Sequence, residues 1–553
     1  MRRIIITILI LAWWSGTLYF ISQEQSQKKF SADDIPVVAI GDIEGESYSS
    51  IYFKGEKIGY SATIKQKAAD GLMWHETSYL RLPVGGVLQE VLAELIVITN
   101  NNMAVDNFTF SFSSDEYESL VNGKVNKKGN LEIKISTPES STERTIAIQG
   151  PLYMPSAITH IAANDSFQKE LYRLPVFDPM TMTMRDYKAK VARKTTSPKG
   201  DENVWLLYAR YNEYNTKMWV DSVGNVVMEE SPSGFISYKE PREKALEFDL
   251  SSSGSFDLLT EFSVLLRNST GGKIESPKIM KARLEGFDPT IFELNDFNQA
   301  FDGESCILTV VQDGFPMDVS PKPDSSKGYT NVVSVPGIDG YFLPPAISPE
   351  DTMATPLVQK NDLRILRQAQ KITKGKDTEI EKLEAINRWL YDNIKKDYRS
   401  SIPSALDIMR KMVGDCNEHT TLFTALSRSL GIPTRINIGL VYLRGAFFYH
   451  AWPQCYVDGK WHAFEPTYGE RRADATHIKL LHGSINKQIE IMRIQNPYIE
   501  ILETNGEYPL DSARVIQVKD DELRSYPCFT ENISIAENYN NADSSEAIER
   551  TDK

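Results

Sequence analysis

From about residue 31 to about residue 240, apolar and polar positions alternate with period two. Phe108, Phe110 and Phe112 are spaced by polar residues, as are Leu131, Ile133 and Ile135, and Tyr187, Ala189 and Val191. Turn formers separate the runs: Lys54-Gly55, Asn122-Gly123, Lys128-Gly129-Asn130 and Val223-Gly224-Asn225. Period-two alternation with such punctuation predicts an antiparallel sheet, one face buried and one wet. The stretch from Pro151 to His160 adds a short helix. A second strand-rich piece covers 245–345, with Ser/Gly-rich joints at 251–255 and 268–272.

After Pro344-Pro345 the apolar spacing changes to three and four residues. Ser348-Pro349-Glu350 has the form of a helix start, with a capping serine and proline at the first position. Thr378 and Glu381 can form a capping box, and Ile380, Leu383, Ile386, Leu390 and Ile394 follow on one helical face. The expected fold class is therefore α+β. It has an antiparallel β-rich region at 31–244, a second β-rich segment at 245–345 and a mixed domain at 346–500.

Composition adds limits. The 553-residue chain carries a net charge of -14, which without a basic stripe argues against a nucleic-acid partner. Arg2-Arg3 precedes an apolar run from Ile4 to Ile21 that leaves no polar helical face. Residues 1–30 thus read as an uncleaved signal anchor with the remainder exported, which places the protein at a bacterial inner membrane, facing the periplasm. Residues 501–553 read as a polar, acidic tail, disordered in part. Four cysteines, Cys306, Cys416, Cys455 and Cys528, are too few for a disulfide scaffold. Met180, Met182 and Met184 share one strand face; they read as adaptable apolar filling rather than a soft-metal site.

The chemistry is concentrated between Gly414 and Gly469. Leu422, Leu426 and Leu430 recur every fourth residue before the helix stop at Gly431 and Pro433, so a helix runs back to near Cys416. A helix N-terminus favours an anion, which predicts a lowered thiol pKa at Cys416 and N–H groups for an oxyanion. Asp458-Gly459 signals a two-residue hairpin turn. That register pairs Val457 with Lys460, Cys455 with His462 and Trp452 with Glu465. It puts His450 and Glu465 on one face as diagonal neighbours, while Cys455 and His462 point the other way. Pro453 can mark an edge or bulge in this hairpin. A zinc set of Cys416, His419, His450 and Cys455 is disfavoured, because His450 and Cys455 lie on opposite strand faces. No metal and no cofactor is called for. His419 has a packing or capping role beside the site.

Together these residues resemble the transglutaminase-like superfamily, a branch of the papain-like cysteine enzymes. The resemblance rests on Gly-Asp-Cys-Asn-Glu-His at 414–419, Gly-Ile-Pro-Thr-Arg at 431–435, His-Ala-Trp at 450–452, Trp461 to Gly469, and Ala-Asp-Ala-Thr-His-Ile at 473–478. It covers about 377–481. It implies Cys416 as nucleophile, His450 as general base and acid, and the acid before Pro-Thr as orienter of the imidazole. The family usually has Asp there; this chain has Glu465, one methylene longer, with Asp474 the weaker candidate. The implied activity is amide chemistry on a protein or peptide, by peptidase/amidase hydrolysis or by transfer to an amine. The other reading is an impaired domain that binds peptide or envelope polymer.

Overall fold

The computed structural model describes residues 43–504 except 85, 115–116, 180–181, 201, 212–213, 248–255, 269–273, 275, 290, 314–332, 335–340, 343–345, 398–403, 444 and 484–496. The apolar N-terminal run, Met180, the 251–255 joint, nearly all of the 268–272 joint and the acidic tail from 505 on, with Cys528, lie outside the described residues; residues 501–504, read as the start of that tail, instead complete the strand Tyr498–Thr504, where Ile501 is buried. Among the described residues, no helix is long and apolar enough to cross a membrane.

The N-terminal region is a 14-stranded sheet in which each strand pairs antiparallel with its neighbour in space. Most pairs are local hairpins. The exception joins Gly45–Phe53 to Phe235–Glu240, so the two halves of the meander meet along one seam. Alternation decides the faces: Leu131, Ile133 and Ile135 are buried, as are Phe108 and Phe110. The sheet curls, since Phe108 and Phe177, from strands far apart in its order, have ring centroids 5.7 Å apart. The short Ala157–Asn164 helix fills the curl, with Ala157, Ile158, Ile161 and Ala162 at most 2% exposed. Met182 and Met184 pack against this core, the apolar filling expected of them.

The second sheet has nine strands and mixes distant parts of the chain. Val264–Leu266, Ile279–Glu285, Gln299–Asp302 and Ile307–Val311 share it with Thr434–Leu443, Ala446–Val457, Lys460–Ala463, Ile478–Gly483 and Tyr498–Thr504. One apolar core spans both sets, from Met280 and Leu308 to Ile438 and Leu480. The helices Leu363–Ile372, Glu379–Asn393 and Ala405–Lys411 surround the central Cys416–Ser429 helix, whose Leu422, Phe423, Ala425 and Leu426 are fully buried. The Glu379–Asn393 helix opens on the expected Thr378–Glu381 capping box. At Ser348 the cap forms, but only a single 3-10 turn follows, Pro349–Asp351.

The regions touch where a hairpin at the edge of the first sheet meets the helices. Glu139 pairs with Arg410 at 2.8 Å and Arg364 at 3.3 Å. Gln359 donates to Ser140, and Arg144 to the Ala354 carbonyl. Both arginines at Glu139 are half exposed, so this contact orients more than it stabilises.

Candidate active site

The central helix presents Cys416, Thr420, Thr424 and Ser427 along one face, at steps of four and three. These are small side chains, so the helix approaches the Ala446–Val457 strand closely. Thr420 Oγ1 donates to the Ala451 carbonyl at 3.0 Å. The Ala451 backbone N–H donates to the Cys416 sulfur. At Ala451 this strand thus gives its carbonyl and its N–H to the helix. Cys416 is thereby fixed against the residue that follows His450.

The hairpin has the register read from its turn: Val457 faces Lys460 and Cys455 faces His462. Pro453 sits within the strand opposite Ile436 and accepts from the Phe464 N–H at 3.0 Å, without shifting that register. The paired return strand ends at Ala463, and Glu465 follows in a tight turn. Its Oε1 accepts the N–H groups of Thr467 at 2.7 Å and Tyr468 at 3.2 Å. Its Oε2 lies 2.7 Å from His450 Nε2. A carboxylate only accepts, so His450 donates from Nε2, and Nδ1 is the ring nitrogen left to exchange a proton with a neighbour. Tyr468 stacks on the His450 ring at 5.1 Å, limiting its rotation. The structure thus brings His450 and Glu465 into direct contact and sets Cys416 against the same strand.

Sequence reasoning missed a second imidazole. His477 Nε2 lies 2.9 Å from the same Glu465 Oε2, and its Nδ1 lies 3.0 Å from Asp474 Oδ1. Asp474 is therefore not a substitute for Glu465 but a partner of His477. The available signal was the Asp-x-x-His spacing directly before the apolar strand Ile478–Gly483.

Burial opposes ionisation of Glu465, yet the two imidazoles outweigh it and hold its carboxyl far below the usual range. Burial also opposes a charge on His477, but Asp474 and Glu465 raise it to about 10. Burial lowers His419 to about 4, and its Nδ1–H donates to the Asp415 carbonyl at 2.6 Å. His419 is thus neutral and packs beside the site, its ring tied to the Asp415 carbonyl, while Asp415 and Glu418 cap the helix.

The expected lowering of the Cys416 pKa is corrected by the structure. Burial pushes the thiol well above its ordinary value, and the charges of Asp415, Glu418 and Glu465 act in the same direction. The helix terminus does not reverse this because acids already occupy it. Asp415 caps the helix and accepts from Asn417 N at 2.9 Å, while Glu418 returns to the Asp415 N–H at 2.7 Å. The Asn417 and Glu418 N–H groups and the dipole are answered by these carboxylates before the thiol can use them.

The zinc set drawn from the sequence is not assembled. Cys455 is fully buried among apolar side chains, 3.4 Å from Thr434 Oγ1, and burial pushes its thiol up to about 12. His462 pairs with Asp313 at 2.9 Å. A different trio, His450, Glu465 and His477, has its ligand atoms within 4.8 Å of one another. Its 2.7 and 2.9 Å spacings are those of shared protons, and each is a hydrogen bond.

Residues 367–466 match the family model of the transglutaminase-like superfamily. This stretch is a transglutaminase-like domain. No curated protein matches the chain. Solved structures similar to it share little sequence. A beta-barrel-like protein with a domain of unknown function from Brucella abortus is 11% identical, covers 36% of this chain and 96% of its own, and gives a TM-score of 0.29. A candidate cysteine protease from Cytophaga hutchinsonii is 17% identical over 40% of this chain and 83% of its own, with a TM-score of 0.26. A candidate protease from Parabacteroides distasonis is 13% identical over 63% of this chain and 64% of its own, with a TM-score of 0.18.

Proposed function

We propose that the chain is an exported, membrane-anchored cysteine enzyme that cleaves amide bonds in a protein or peptide, with Cys416, His450 and Glu465 as its triad. The observation that carries this reading is the 2.7 Å His450–Glu465 bond on the strand that also hydrogen-bonds Cys416. In the resting site Cys416 is a neutral thiol, and His450 offers Nδ1 for its proton. The thiol proton passes to His450 Nδ1 as sulfur attacks the amide carbonyl. The cap takes the Asn417 and Glu418 N–H groups, which leaves the Cys416 N–H in the first turn to meet the oxyanion. His450 then gives its proton to the leaving amine, and a thioester remains. Water, deprotonated by His450, releases the acid and restores the thiol; an amine in its place makes the reaction a transamidation. Glu465 keeps the imidazole oriented and stabilises its charged form.

Export is supported by Arg2-Arg3 with the apolar run behind it, and by Cys306, which is disulfide-bonded, while Cys416 and Cys455 are free. The upward-shifted Cys416 thiol favours a second reading, a domain that binds peptide or envelope polymer without turning it over. A thiol-reactive amide probe separates the two. The enzyme reading expects labelling at Cys416 that disappears in His450→Ala, and cleavage of members of an amide library by the wild type. Equal labelling in both proteins without cleavage of any amide would leave only the binding reading.

A further inference from the structure

His477 has no part in the triad, yet it is 4% exposed and both of its ring nitrogens face carboxylates. We propose that His477, held by Asp474, is a positioning residue that fixes Glu465 beside His450 and supplies the positive charge that lets two buried carboxylates share this site. The proposal rests on the triad reading above and explains how a glutamate serves there.

The argument begins with proton count. Neither Asp474 Oδ1 at 3.0 Å nor Glu465 Oε2 at 2.9 Å can donate when ionised, so His477 must donate from both nitrogens and is an imidazolium. Asp474 is itself held, accepting from Thr476 N at 2.9 Å and Thr476 Oγ1 at 2.6 Å. The rigid order is therefore Thr476, Asp474, His477, Glu465, His450. A glutamate has one more rotatable bond than an aspartate, and the second imidazole removes that freedom. Backbone N–H groups pin Oε1 while His450 and His477 pin Oε2.

Other groups face His477. His450 lies 5.6 Å away between ring centroids and Trp452 meets it edge-on at 5.2 Å. Glu470 interacts with it from the turn after Glu465, and burial, followed by Asp474, raises the Glu470 carboxyl to about 7. With His477 charged, Asp474 and Glu465 carry one net negative charge between them. Without it they carry two, a few ångströms from the Cys416–His450 pair. Added negative charge makes the first proton of that pair harder to remove.

The test is the pH profile of Cys416 alkylation by iodoacetamide, read by peptide mapping so that buried Cys455 does not contribute. It uses the full chain as wild type, His477→Gln, Asp474→Asn and His450→Ala, with folding checked by circular dichroism. Removing the positive charge in His477→Gln moves the acid limb up by about one pH unit. Removing a negative charge in Asp474→Asn leaves the limb in place or moves it down, and this prediction stands alone should His477→Gln not fold. Slower alkylation in either variant with an unmoved limb in His477→Gln, or an upward move in both, overturns the proposal and leaves the triad intact. A wild-type profile retained in His450→Ala removes the Cys–His reading and this proposal with it.

Discussion

The two halves of the molecule each bury a histidine, and the two behave in opposite ways. His160, inside the curled N-terminal sheet, is lowered to about 3, by burial first and then by Lys65. His477, in the C-terminal half, is raised to about 10 by Asp474 and Glu465 although burial acts against it. Their exposures are nearly equal, 5% and 4%. Depth therefore does not decide the charge state; the partners do. His160 donates from Nδ1 to the Val223 carbonyl at 2.9 Å and accepts from Lys65 Nζ at 3.1 Å, the pattern of a neutral ring. His477 donates twice to carboxylates, the pattern of a cation. The first arrangement closes a core, and the second stores charge beside a reactive pair.

The largest expected effect comes from removing Glu465, one of the two acids that give His477 its charge and the one that also holds His450. Glu465→Gln leaves a buried imidazolium with only Asp474, and its amide nitrogen meets N–H groups where an oxygen had accepted. Breaking a buried pair on one side costs about 3–5 kcal/mol. Urea unfolding should show that loss in the C-terminal domain while the N-terminal sheet is unaffected. Turnover should fall with it, by on the order of a hundredfold or more. Unchanged stability would mean that His477 is neutral in the native protein, and the contrast between the two histidines would collapse.

The His450–Glu465 contact was legible in part. The Asp458-Gly459 turn fixes the register as far as Ala463, but the expected Trp452–Glu465 pair does not form: Glu465 lies in the turn beyond the ladder and bridges Glu470, and its carboxylate reaches His450 from there. His477 was not legible. It arrives from a separate loop, and only the completed sheet brings it to Glu465. The Cys416 thiol departs from what a bare helix terminus implies because burial and the acids that cap the terminus act the other way. Asp415 and Glu418 were visible in the sequence, but their effect depends on their return to the backbone. In the N-terminal region the hairpins could be read from alternation and turns. The pairing of Gly45–Phe53 with Phe235–Glu240 could not, since nothing local specifies a partner so distant in sequence.

A middle-sized effect tests the N-terminal side of the comparison. Gly224 has φ +95°, and a Cβ there would lie 2.6 Å from both His160 Cα and His160 Nδ1. Gly224→Ala must therefore push the Ala157–Asn164 helix away and loosen the His160–Val223 bond. Strain and overpacking together cost about 2 kcal/mol. The loss should appear in hydrogen exchange of the N-terminal sheet, with Cys416 alkylation unchanged. If alkylation changed too, the halves would be coupled through the Glu139 contact and could not be treated as separate electrostatic environments.

The smallest effect separates the halves by pH alone. His160 has a lowered pKa in the folded state, so the unfolded chain binds its proton more readily, and stability falls as pH drops from 6.5 towards about 3. His477 has a raised pKa, so its contribution is fully present below 6.5 and is lost as pH rises through about 10. Lys65, lowered to about 8 mainly by burial, acts with His160, because its folded-state penalty fades as pH rises from there. Glu465 begins to lose its contribution only below its ordinary value of 4.5. Between neutrality and about pH 6, His160 is therefore the group among these that weakens the fold, by somewhat under ~1 kcal/mol. Hydrogen exchange should show the N-terminal sheet opening more readily over that interval, while around His450 the same loss from His419, lowered to about 4, is opposed by Glu470, raised to about 7 and steadied as it gains its proton. In His160→Gln the interval should become flat. Acid sensitivity that persisted in that variant would assign it to another group and leave His160 without the role that its neighbours, Lys65 and Val223, imply.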